Sequence, residues 1–227
     1  MLRHTIGGKD SKWPDEFLKN EEFANKIVLN SEPLFDSIDK YKGDKDEAKI
    51  FFGIDTKKIV ILFFGSFYPW KGPDLLLDAI KFLDNSFQII FAGNTDTYPK
   101  DLSNFKKENI LLFDKPGDHE MYKLFHASDI VTCPYGPTYK YSSSSVFMSS
   151  ILSSKPAVVP SFEPFKNVID TYKCGELFDQ GDLNSFVNSI NIISNNIKED
   201  PSYYNLNFDR YISSIITWEE IIKFHFT

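Results

Sequence analysis

Short apolar runs alternate along this chain with longer stretches in which apolar residues recur every three or four positions. The runs are Lys26–Asn30, Ile59–Phe64, Phe87–Ala92, Ile110–Phe113, Ile130–Cys133 and Pro156–Val159, with a weaker one at Glu176–Phe178. Runs that are apolar on both faces suit strands covered from both sides, as in a parallel sheet. Between them, Leu75, Leu76, Ala79, Ile80 and Leu83 share one stripe of a helix over Asp74–Leu83. Met121, Leu124, Phe125 and Ser128 do the same in a helix opening at Asp118, whose carboxylate suits an N-cap. Val146–Leu152 and Phe165–Tyr172 continue the alternation. The pattern predicts an α/β fold with a doubly wound, Rossmann-like parallel sheet from Ile59 to about Asn195.

The two ends read differently. Residues 1–24 are polar, spotted with aromatics and without clear period. Lys26–Tyr41 reads as a strand followed by a helix opening at Ser31-Glu32-Pro33, and Gly43–Glu47 as a solvated linker. Tyr203–Thr227 reads as mostly helical. No internal repeat is visible.

Composition narrows the field. At 227 residues the chain holds one large domain, or one domain and part of another. A hydrophobic fraction of 42% excludes a disordered polypeptide. Two cysteines, Cys133 and Cys174, cannot staple a chain of this length, so a disulfide scaffold is excluded. A net charge of −7 argues against a nucleic-acid backbone binder, which needs a basic face. The start of the chain lacks the apolar core of a signal peptide. The longest apolar run, Ile59–Phe64, is far shorter than the roughly 20 residues that cross a bilayer. The chain therefore reads as cytoplasmic, at most peripheral at a membrane.

In open parallel sheets, ligands sit beyond the carboxyl ends of the strands. The first loop there is Phe64–Pro73. Gly65 lets backbone approach a ligand closely, and Pro73 suits the first turn of a helix. Lys71 stands just before that helix, where exposed amides already favour an anion. It reads equally as a phosphate ligand or as a solvated lysine on a turn. Neither a Walker A loop nor a GxGxxG fingerprint is present, so an ordinary P-loop NTPase or NAD-binding enzyme does not fit. The second loop runs from Cys133 to Tyr141 and into Ser142–Ser145 before the next helix. Small hydroxyl residues there either cap the helix or leave its amides open to an anion. In the third loop, Pro160–Pro164, Glu163 either accepts from sugar hydroxyls or caps the Phe165 helix.

The order and content of Ile61–Ile80, Phe87–Gly93, Asn109–Phe113, Met121–Pro134, Ser154–Val159, Cys174–Phe178 with Gly181–Leu183, and Thr217–Ile222 resemble the C-terminal, donor-binding domain of GT-B glycosyltransferases of group 1 (family 4). The resemblance covers about Lys26 to the C-terminus. It implies a nucleotide-diphosphate sugar (UDP-, GDP- or ADP-linked) and no cofactor. Gly65, Ser66, Lys71 and the amides of Ser143, Ser144 and Ser145 would face the diphosphate. Phe113, Asp114, Lys115 and Ser149 would lie near the nucleobase and ribose, and Tyr141 and Ser142 near the donor sugar. It implies no bound metal, because lysine and helix amides offset the charge of the leaving diphosphate. The division it suggests is residues 1–50 as the remnant of an acceptor domain and a linker, 51–200 as the donor domain and 201–227 as C-terminal helices. His4 then reads as the remnant of the histidine at the donor cleft, or as a solvated terminal residue. The partners implied are the nucleotide sugar, a glycan or lipid-linked acceptor, and a separate acceptor-domain chain or a second copy.

Several family positions depart from the pattern. Ser66 stands where an arginine usually follows the glycine, Tyr141 and Ser149 stand where two glutamates belong, and Ser154 replaces a glycine. These losses leave a second reading open, a non-catalytic nucleotide-sugar-binding domain with a regulatory or assembly role. A third reading, a metal-dependent GT-A transferase, rests on Asp44-Lys45-Asp46, which lies in the charged linker and not at the end of an apolar strand.

Overall fold

The computed structural model describes residues 38–140 and 142–215. The expected strand Lys26–Asn30, His4, Tyr141 and the closing helical stretch from Thr217 lie outside them. The apolar runs become strands β1 (Ile59–Phe64), β2 (Phe87–Gly93), β3 (Ile110–Asp114), β4 (Ile130–Thr132), β5 (Ala157–Pro160) and β6 (Gly175–Phe178). Among the described residues they form one six-stranded sheet in the order β3-β2-β1-β4-β5-β6, and every pairing is parallel. β1 is central: Ile61 is in register with Ile89 of β2 on one side and Ile130 of β4 on the other. Val60, Ile61, Leu62, Ile89, Ile90, Ile130 and Val131 are wholly buried. Such side chains contribute about 1.5–3 kcal/mol each on leaving water, which explains why the runs lack polar alternation.

The helices are α1 (Lys45–Phe51), α2 (Pro73–Ala79), α3 (Asp118–Ala127), α4 (Ser145–Leu152), α5 (Phe165–Tyr172), α6 (Leu183–Glu199) and α7 (Asn205–Ile212). Three boundaries differ from the periodicity. The expected linker Gly43–Glu47 is instead the start of α1. Asp44 caps it by accepting from the Glu47 N–H at 2.8 Å, and Asp46 and Glu47 complement the positive end of the helix. The N-cap of α3 is Gly117, not Asp118, and the Glu120 carboxylate reaches back to the Gly117 N–H at 3.3 Å. The helix expected over Asp74–Leu83 stops at Ala79 and tightens into a 3-10 turn over Ile80–Phe82.

α1 packs on α3 and carries a buried charge into the amino-terminal edge of the sheet. Lys49, with 2% of its side chain exposed, lies 2.7 Å from Asp129, with 4% exposed. Lys49 also donates to the Lys58 carbonyl at 2.7 Å. Lys45 reaches the other Asp129 oxygen at 2.8 Å, and the Val60 N–H donates to Asp129 at 2.9 Å. Burial pushes the Asp129 carboxyl up, but the Lys49 and Lys45 ammoniums outweigh it and hold the carboxyl below its ordinary value.

Asp129→Asn keeps an oxygen for Val60 but leaves Lys49 buried without a counter-charge. It should cost about 3–5 kcal/mol in urea or guanidinium unfolding. A carboxyl whose folded pKa is depressed contributes in full above its ordinary value of 3.8 and is lost as pH falls through the folded value. The denaturation midpoint of the wild type should therefore fall more steeply in that acid range than that of Asp129→Asn.

Candidate functional site

The strand order reverses between β1 and β4, so the loops that follow them diverge and leave a crevice at their carboxyl ends. The loop after β1 is fixed at both ends. Gly65 has φ of +121°, where a Cβ would have open space, with Val146 Cγ2 3.9 Å away. Phe67 is wholly buried against Phe63 and Phe105 at ring distances of 5.3 and 5.5 Å. Its N–H donates to Thr97 Oγ1 at 2.7 Å. Ser66, between these anchors, is half-buried. At the far end Gly72 approaches the second loop so closely that a Cβ would fall 1.9 Å from the Pro134 carbonyl oxygen. The Gly136 N–H donates to the Trp70 carbonyl at 2.8 Å, joining the two loops again. Tyr68 and Trp70 stack on the rim with rings 4.3 Å apart.

Lys71 points from the first loop at the second. Its Nζ lies 4.5 Å from the centre of the Tyr135 ring and 4.3 Å from that of Tyr139, and it donates to Tyr139 Oη at 3.1 Å. Burial lowers its pKa, opposed by the Cys133 thiol. Its ammonium is partly desolvated against two rings and is not a solvated lysine on a turn. Cys133 itself is buried and pushed up to about 11 by desolvation, so it is an unreactive thiol. The serine run divides its work. Ser144 is buried and caps α4, its Oγ accepting from the Phe147 N–H at 3.1 Å and meeting Tyr135 Oη at 2.8 Å. The Ser143 carbonyl accepts from Tyr139 Oη at 2.8 Å, and the Ser142 N–H donates to the Tyr139 carbonyl at 3.0 Å. Ser145, the first residue of α4, is exposed.

Next to this lies a cleft of about 290 Å³. Phe64 at the end of β1 faces it, with Ser145, Val146 and Ser149 of α4 on one side and Met121 and Tyr122 of α3 on the other. Of the residues expected around the diphosphate and ribose, Ser145 and Ser149 line this cleft, Lys71 is tied to the Ser143 carbonyl through Tyr139, and a Cβ at Gly65 would lie 3.9 Å from Val146 on the cleft wall. Phe113, Asp114 and Lys115 stand apart from its lining, at the end of β3, two strands away. There the Phe113 ring packs on Phe52 at 5.1 Å. Asp114 accepts from the side chain and backbone of Thr95, which hold its carboxyl below the ordinary value. Lys115 pairs with Asp96. Glu163 takes its capping role, accepting from the Asn167 N–H at 3.3 Å. Asp44, of the carboxylate pair considered for a metal, is used as the cap of α1. Its neighbour Lys45 pairs with Asp129 at the opposite edge of the sheet.

Sequence reasoning missed Tyr135 and Tyr139, although a loop with tyrosines at 135, 139 and 141 among prolines and glycine is unusually aromatic. It missed the α3 wall of the cleft for a different reason: Met121 and Tyr122 read as ordinary helix-face residues.

The family model for glycosyl transferases group 1 matches residues 44–205. A curated relative, the UDP-N-acetylglucosamine–N-acetylmuramyl-(pentapeptide) pyrophosphoryl-undecaprenol N-acetylglucosamine transferase of Caldanaerobacter subterraneus subsp. tengcongensis, is 26% identical over 155 residues, 66% of this chain and 42% of that protein. Among solved structures, a glycosyltransferase from Rickettsia africae superposes with a TM-score of 0.75 at 14% identity, covering 93% of this chain and 59% of that one. Anabaena HepE in complex with UDP superposes with a TM-score of 0.65 at 18% identity, covering 83% and 52%. The chain spans less than two thirds of the length of each of these relatives. Its six-stranded parallel sheet shares the Rossmann-like fold of these structures. The match from Asp44 to Asn205 takes in every strand of that sheet, and the chain belongs to the group 1 family of glycosyl transferases.

Proposed function

We propose that this chain supplies the donor-binding domain of a glycosyltransferase that passes a sugar from a nucleotide-diphosphate sugar to a glycan or lipid-linked acceptor. One observation carries the reading: beyond β1 and β4, Lys71 is tied through Tyr139 to the Ser143 carbonyl just before α4, and the first turn of α4 lines a cleft of about 290 Å³. In the reaction the bond between the sugar's anomeric carbon and the diphosphate breaks, an acceptor oxygen bonds to that carbon, and negative charge builds on the leaving diphosphate. Lys71 and the amides at Ser143–Ser145 offset that charge in place, without a metal ion. Gly65 and Ser66 bring backbone close to the same phosphates. Ser149 takes the ribose with a hydroxyl in place of the family's carboxylate, and Ser142 lies toward the sugar. The base would extend along the carboxyl edge of the sheet toward Phe113–Lys115. The acceptor side belongs to a second domain or a partner copy. Both the curated relative's name and the HepE complex carry UDP, so a UDP-sugar is the first donor to test.

Calorimetric titration of UDP, GDP, ADP and their sugars should show binding of a uridine nucleotide; no binding of any of them at millimolar concentration would sink the proposal. Lys71→Ala removes a charge-assisted contact and should weaken UDP binding by about 1.5–3 kcal/mol. Because burial lowers the Lys71 pKa, its charge is lost below the ordinary lysine value of 10.5. UDP affinity should fall correspondingly early as pH rises, a dependence absent from Lys71→Ala. Gly65→Ala meets open space but a strained φ. It should cost about 1–3 kcal/mol of stability in thermal or chemical unfolding.

A further inference from the structure

We propose that Tyr139, seated on Tyr135, is a positioning residue that sets the Lys71 ammonium and the serine loop as one diphosphate receptor, an inference that rests on the donor-domain reading above. A lysine is a flexible four-carbon stem ending in a strongly hydrated point charge. Left to itself on a turn, Lys71 would have to be ordered and partly dehydrated each time a phosphate bound. Here that ordering is built in. Two tyrosine rings lie 4.3 and 4.5 Å from its Nζ, within the range of a cation–π contact. One of its three N–H donors is spent on Tyr139 Oη at 3.1 Å, and two remain for ligand oxygens.

The clamp is itself rigid. Tyr135 is 1% exposed; its ring lies 4.1 Å from that of Tyr139 and 5.8 Å from the buried Phe165. The same two tyrosines reach the other half of the receptor. Tyr139 Oη, while accepting from Lys71, donates to the Ser143 carbonyl at 2.8 Å. Tyr135 Oη meets the Oγ of Ser144, which caps α4. Cation, serine loop and helix cap are therefore linked through two phenols. A shift of Tyr139 would move Lys71 and Ser143 together. Ser66, in the same loop as Lys71, stands where the family usually carries an arginine, so positional order takes over from added charge.

The test combines affinity with a readout that needs no ligand. UDP and uridine are titrated into the wild type, Tyr139→Phe, Tyr139→Leu, Lys71→Ala and Lys71→Ala/Tyr139→Leu, and lysine-labelled protein is followed by carbon–proton NMR. In the wild type the Lys71 methylene protons next to Nζ should be shifted upfield by the rings, and Tyr139→Leu should return them toward ordinary lysine positions. Tyr139→Leu should weaken UDP about five- to tenfold, leave uridine unchanged, and have a smaller effect once Lys71 is alanine, the remainder being the share of the serine loop. Tyr139→Phe keeps the ring and loses the hydroxyl link, so its loss should be smaller, about two- to threefold. It also serves if the leucine variant does not fold. Equal losses for UDP and uridine, or an undiminished loss in the Lys71→Ala background, would overturn the positioning role, as would an unshifted Lys71 in the wild type. A wild type that binds no nucleotide would instead overturn the donor reading, with the ring-shifted lysine still reporting the clamp.

Discussion

The β1–β4 pairing is the constraint on which the rest of this molecule hangs, and Asp129 secures its buried end. The Asp129 N–H donates to the Val60 carbonyl while its carboxylate accepts from the Val60 N–H, so one residue of β4's leading turn holds β1 in both directions. The same carboxylate draws Lys49 and Lys45 of α1 onto the sheet edge. Such a buried pair gives little net stability by itself, since desolvating both ions costs about what their attraction returns. Its effect is on uniqueness. A lone Lys49 or a lone Asp129 has no tolerable place in the core, so α1 has one register against α3.

What is fixed at the amino-terminal edge opens at the other. Beyond Phe64 and Thr132 the two neighbouring strands send their chains apart, and the crevice between is lined by whatever those loops carry. Here they carry Lys71, a serine run and two inward tyrosines. The loops are knitted to one another through Gly72 against Pro134 and through the Trp70 carbonyl. Phe67 pins the first loop to the core. A site assembled on these loops inherits the rigidity of the sheet although its side chains lie outside regular strands.

The strands were legible because their cause is local. Ile59–Phe64 is apolar on both faces since both faces are covered, and that shows in the residues themselves. The helices were legible where a stripe continued, as at Phe165–Tyr172, and misplaced where a cap decided the matter, as at Asp44 and Gly117. The charges Asp44-Lys45-Asp46-Glu47 look like solvated linker until Lys49 is seen to need a partner 80 positions away. That Lys71 stands before α2 was legible in the sequence. Its aromatic seat was not, because Tyr139 lies 68 positions further on and no period connects them. Ser149 lines the cleft beside α3, whereas Phe113–Lys115 follow β3, two strands from β1.

The net charge of −7 bears directly on how such a crevice can work. An anionic nucleotide approaching this chain meets an overall repulsive field. At physiological ionic strength that field is screened beyond about 8 Å, so it slows encounter more than it weakens contact. Attraction must then come from groups already in place at the surface of the ligand. A partly desolvated lysine beside a helix amino end is strong for this purpose because little water lies between it and the phosphate. Mobile surface lysines would give a larger field and a looser grip. With Ser149 where the family carries a carboxylate, the cleft adds no negative charge at that position. A single ordered cation can then serve where a bare charge count would suggest that more are needed.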